Sequence, residues 1–65
     1  MTANKIETYY EARPTKYGIV RWGDISHSER TIEEIKTWVE ANPSNYEEWG
    51  WTIIEVTITH KIITI

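Results

Sequence analysis

The chain has 65 residues, no cysteine and a net charge of −3. That length holds a single domain, residues 1–65, and a domain this small buries only about 60% of its unfolded surface. The missing cysteines exclude a disulfide framework and a thiolate metal site, and the acidic balance argues against a general nucleic-acid binder.

Stability must therefore come from packing. Eleven Ile, three Val, four Trp and four Tyr are available, with no Leu and no Phe. β-branching restricts χ1 and suits a pleated surface, so this composition favours strands. Residues 1–4 are expected to be a disordered end. Lys5 to Arg13 alternates Ile6, Thr8, Tyr10 and Ala12 against Glu7, Tyr9, Glu11 and Arg13, which predicts a strand with the first set inward. Pro14 cannot donate to a ladder, and the spacing predicts a turn over Pro14–Lys16. Tyr17 to Ile25 resumes a β pattern, with Val20 and Trp22 expected inward and Gly23–Asp24 ending the strand. His27 to Arg30 is read as a polar connection.

Thr31-Ile32-Glu33-Glu34 has the pattern of a capping box, in which Thr31 accepts from the Glu34 N–H and Glu34 reaches back to the Thr31 N–H. Ile32, Ile35, Trp38 and Val39 form an apolar stripe at helical spacing. Asn42-Pro43 ends the helix, because a residue before proline avoids the α region. Ser44 to Glu48 has room for one further turn. Trp51 to Ile65 then alternates again, with Ile54, Val56, Ile58, His60 and Ile62 on one face; Ile54, Val56 and Ile58 are expected to cover the helix stripe, with Tyr9, Ile53, Ile63 and Ile65 on the outer face. The predicted fold is α+β: a ββαβ order, with a three-stranded antiparallel sheet and one helix packed on one face. Truncation before Thr59 should unfold it.

Few residue sets suggest chemistry. Asp24, Ser26, His27 and Ser28 are sequence neighbours, whereas a catalytic triad is assembled by folding with an oxyanion site beside it. His27 and His60 are two ligands where zinc wants three or four. No metal, no cofactor and no enzymatic activity are expected. The acidic set Glu33, Glu34, Glu40, Glu47 and Glu48 is answered between residues 31 and 50 by a single base, Lys36. Its plain reading is a solvated helix face. Its functional reading is a docking surface for a partner with a basic groove, since complementary charge speeds and orients encounter. Tyr46, Trp49 and Trp51 sit beside Glu47 and Glu48, and such aromatics are enriched in binding hot spots. A sugar- or base-stacking platform is the other reading of these rings. The expected partner-binding residues are therefore Glu33, Glu34, Glu40, Tyr46, Glu47, Glu48, Trp49 and Trp51.

Two short motifs carry a resemblance. The helix opening Thr31-Ile32-Glu33-Glu34 and the strand segment Glu55-Val56-Thr57 are similar to patterns in phage-encoded inhibitors of bacterial RNA polymerase. The likeness covers about residues 17 to 60. It departs where the last strand of those inhibitors turns basic, because Ile58 and Thr59 follow Thr57 here. The resemblance implies a short, non-enzymatic phage or prophage protein that occupies and inhibits a host protein; the particular target does not carry over. The alternative expectation is a homodimerising accessory module that uses the hydrophobic end of the last strand, residues 61–65. No direct nucleic-acid or membrane contact is expected. The N-terminal segment lacks the apolar run of a signal peptide, so the cytoplasm is the expected location.

Overall fold

The computed structural model describes residues 4–64. Its elements are β1 (Asn4–Lys16), β2 (Ile19–Val20), β3 (His27–Glu29), α1 (Ile32–Ala41) and β4 (Trp49–Lys61). The fold is α+β, an antiparallel sheet of four strands with one helix. The expected three-strand ββαβ order is therefore corrected to ββ, a third short strand, the helix and a last strand.

β1 organises the sheet. It pairs with β4 in unbroken register from Asn4↔Lys61 to Lys16↔Trp49. That occupies one whole edge, so β2 and β3 share the other, at Thr15–Lys16 and at Tyr10–Ala12. Of the second strand predicted over residues 17–25 only the two-residue β2 forms, and the connection predicted at residues 27–30 contains β3.

Pro14 explains both the continuity of β1 and the gap beside it. Its carbonyl accepts from the Arg21 N–H at 2.8 Å, so its backbone faces the β2 edge. The missing donor falls where no strand pairs, and no bond to β4 is lost. Pro14 therefore stays in the strand, opposite Trp51, and the expected turn over residues 14–16 is corrected to Tyr17-Gly18. Both turn residues have positive φ, 50° and 76°, the requirement of a two-residue type I′ hairpin. Beyond Arg21 the chain leaves the sheet. Trp22, expected in the core, is 64% exposed and lies with its ring 5.1 Å from the Arg13 guanidinium.

α1 begins and ends where local chemistry dictates. Thr31 is the N-cap and accepts from the Glu34 N–H at 3.2 Å. The reciprocal bond differs from expectation: the Glu34 carboxylate accepts from the Thr31 hydroxyl at 2.9 Å rather than from its N–H. At the other end Asn42 donates from its side chain to the Trp38 carbonyl at 2.7 Å and from its N–H to the Val39 carbonyl. Residues 44–48 make bends and a turn rather than a further helical turn.

The helix lies over a cross-strand row of His27, Ala12 and Ile53, which share a face of the sheet. Ala12 and Ile35 are fully buried there, and the small Ala12 side chain lets the helix approach. Trp38 stacks on His27 with ring centroids 4.2 Å apart and meets the edge of Trp51 at 4.8 Å. The inward set of β4 is therefore Trp51 and Ile53. Ile54, Val56 and Ile58, expected under the helix, lie on the opposite face, across from Glu11, Tyr9 and Glu7. Tyr9 is on that opposite face as expected, and Ile65 is outside the described residues. Glu11 is buried on the opposite face beside Arg13, whose Nε donates to it at 2.8 Å.

The molecule measures 53 × 23 × 14 Å. Its radius of gyration of 15.5 Å exceeds the roughly 11 Å of a compact chain of this length. The excess is an arm in which Asn4–Thr8 pairs with Thr57–Lys61 and neither β2 nor β3 continues the sheet. Every residue of the arm is exposed. Asn4, expected in the disordered end, is the first residue of this ribbon; residues 1–3 lie outside the described residues.

Candidate functional site

The helix, the third strand and the 42–49 turn together shape three open depressions. The first holds about 490 Å³ between α1 and β3. Glu29, Glu33 and Glu34 line it with Thr37, and Trp38 and Ala41 supply its apolar part. The capping geometry explains the acid here: Glu33 and Glu34 occupy the first turn, where the helix dipole favours negative charge. Glu29 is fixed by the imidazole of His27, whose Nε2 is 2.7 Å from its carboxylate. That imidazole is in turn held flat against Trp38. A stacked His–Trp pair thus joins the acidic rim to the core.

The other expected binding residues are distributed elsewhere. Glu47 and Glu48 line a separate depression of about 430 Å³ with Tyr17. Tyr46 is 67% exposed, and Glu40 is exposed on the helix; neither lines any of these three depressions. Trp49 and Trp51 are half-buried and line a third depression of about 230 Å³ with Pro14 and Pro43. Trp51 has a structural role, because its Nε1–H donates to the Asn42 carbonyl at 2.7 Å and ties the helix end to the sheet. Trp49 is flanked by Lys16 and Arg21, 5.3 and 5.8 Å from its ring, so basic groups rather than acids face it.

Glu29 and Trp38 were absent from the site read in the sequence. Reading His27–Arg30 as a connection hid Glu29, and the helical stripe assigned Trp38 wholly to the core. The neighbours Asp24, Ser26, His27 and Ser28 do not converge. Asp24 pairs with Arg21 at 3.6 Å, His27 faces Trp38, and Ser28 alternates to the other face of the sheet.

A second charged group lies on the arm. Lys5 Nζ is 2.9 Å from one Glu7 oxygen, and His60 Nε2 is 3.5 Å from the other. The bond to Lys5 and its charge, with a smaller contribution from His60, hold the Glu7 carboxyl below its ordinary range. On the same face, desolvation and the Glu11 carboxylate raise the Tyr9 phenol. Among the described residues no group of three or more His, Cys, Asp or Glu could hold a metal ion, and no helix is long and apolar enough to cross a membrane. No family model, curated protein or solved structure matches the chain.

Proposed function

We propose that this chain is a small, non-enzymatic interaction module that binds a partner protein through a basic segment and modulates or inhibits it. The observation that supports this reading is the depression between α1 and β3, where three carboxylates surround an apolar floor of Trp38 and Ala41. Rim carboxylates orient an approaching basic partner, and the aromatic floor offers the desolvated contact on which hot spots are built. The depression is open, which suits a protruding side chain better than a substrate that must be enclosed. The likeness to phage-encoded inhibitors makes a bacterial host protein in the cytoplasm the partner class to test first.

Glu33→Lys with Thr37→Lys reverses the rim charge and fills the depression. Glu33 takes no side-chain part in the helix cap, so the fold should survive. Immobilised wild-type chain is expected to recover a defined protein from a bacterial lysate, and the double variant should bind that protein at least about tenfold more weakly. Glu47→Lys with Glu48→Lys should have a smaller effect. A folded groove variant that binds as tightly as wild type would refute the assignment.

A further inference from the structure

We propose that two copies of this chain pair through the outer edges of β4, antiparallel about a two-fold axis at Ile58. This is independent of the partner assigned to the α1–β3 depression. The first observation is an open edge. Among the described residues β4 pairs only with β1, along all of its length, so its other edge is unpaired from Trp49 to Lys61. The edge has no proline, and its two charges, Glu55 and Lys61, are exposed and opposite in sign, so they repel a second copy only in registers that set like against like. It also belongs partly to the two-stranded arm, and a two-stranded ribbon alone is marginal in water.

The second observation is which backbone groups face outward. The Glu48 carbonyl oxygen accepts from the Tyr17 N–H at 2.7 Å, so the even-numbered residues of β4 turn their backbone toward β1. Ile53, Glu55, Thr57, Thr59 and Lys61 then present N–H and C=O at the open edge. Pairing two copies about Ile58 brings these odd positions opposite one another, as hydrogen-bonded pairs of an antiparallel ladder.

The third observation selects the register. Residues 52–64 read TIIEVTITHKIIT, which is nearly palindromic about Ile58. Antiparallel pairing about that residue places Thr57 against Thr59, Ile54 against Ile62, Ile53 against Ile63 and Thr52 against Thr64 of the second copy. Glu55 faces Lys61 of the second copy, and Lys61 faces its Glu55. An axis one residue earlier sets Lys61 against Ile53 and Glu55 against Thr59. An axis one residue later sets Glu55 against Ile63. Axes at Glu55 or Lys61 oppose like charges. The Ile58 register alone among these pairs acid with base, and opposite-charge cross-strand pairs are the favourable ones. It also covers Ile62 and Ile63, which are 59% and 82% exposed. The axis stands perpendicular to the sheet, so both helices lie on one face and the Ile54–Val56–Ile58 stripes of the two copies join on the other.

Charge swaps test the pairing without disturbing the fold, because within one chain Glu55 lies opposite Tyr10 and Lys61 opposite Asn4, neither charged. Wild-type chain should sediment as a dimer in analytical ultracentrifugation. Lys61→Glu should raise the dimer dissociation constant about tenfold, and Glu55→Lys with Lys61→Glu should restore it. Ile58→Cys tests the axis directly in a chain without cysteine. The two positions form a non-hydrogen-bonded pair about 4.5 Å apart between Cα atoms, within disulfide range. That variant should oxidise to a covalent dimer, whereas Val56→Cys, which faces His60 of the second copy, should not. A wild-type chain that stays monomeric at millimolar concentration, higher assemblies in place of a dimer, a Lys61→Glu variant that dimerises like wild type, or cross-linking at Val56→Cys but not Ile58→Cys would overturn the proposal.

Discussion

Ile35→Ala should be close to the largest loss that one side chain can cause in this protein. Ile35 is the one large side chain with no solvent exposure among the described residues, held between α1 and the Ala12 row of the sheet. The change removes three carbons, worth about 2.4 kcal/mol at about 0.8 kcal/mol each. A residual cavity adds to this, but the site is shallow and should collapse in part, so the total is about 3 kcal/mol. A chain of this length has a total stability of about 3–10 kcal/mol. The variant should therefore be partly unfolded at room temperature or melt roughly 12–24 °C lower. Urea denaturation followed by tryptophan fluorescence suits the measurement, because Trp38 and Trp51 meet at 4.8 Å beside the site. Ile54→Ala is the control: on the half-exposed opposite face it should cost about 1 kcal/mol. If Ile54→Ala is the more damaging change, the assignment of the helix-bearing face is wrong.

Two further outcomes follow from the hairpin turn and the arm. Tyr17 holds a left-handed conformation at φ 50° that suits asparagine better than tyrosine, so Tyr17→Asn should stabilise the chain by about 0.5–1 kcal/mol; a lower urea midpoint would contradict the turn type. Because the folded carboxyl of Glu7 titrates below its ordinary value, its contribution is complete above the usual carboxylate range and is lost as pH falls through the depressed value. Glu7→Gln should accordingly flatten the acid limb of the stability–pH curve, and an unchanged limb would show that the Lys5–Glu7–His60 group does not form in solution.

The α1 helix was legible in the sequence because its signals are local. Thr31, Glu34, Asn42 and Pro43 fix its ends within a few residues, and Ile35 and Trp38 mark its buried side. The alternation of β1 was legible for the same reason, and Ala12 does face the helix. The candidate site was less so. Glu33 and Glu34 could be read from the helix opening, but Glu29 joins them only because β3 pairs with residues 10–12 and His27 stacks on Trp38. The roles of Trp49 and Trp51 depend on what the fold sets beside each ring.

What the sequence determined by itself was the class of this protein: one small α+β unit in which β-branched residues form strands and a capped amphipathic helix covers them. What the tertiary structure decided was register and face. Ile53-Ile54 is a doublet, so alternation in β4 admits either isoleucine as the inward one, and slipping a strand by one residue exchanges its faces. The choice is made by distant partners: Ala12 opposite Ile53, Asn42 accepting from the Trp51 indole, and the Tyr17-Gly18 turn that anchors β1 against β2. The place of Pro14 is likewise decided across the sheet, where its missing donor faces Arg21 just beyond β2 and costs no bond to β4. Periodicity states that two faces exist; only the pairing of strands far apart in the chain says which one meets the helix.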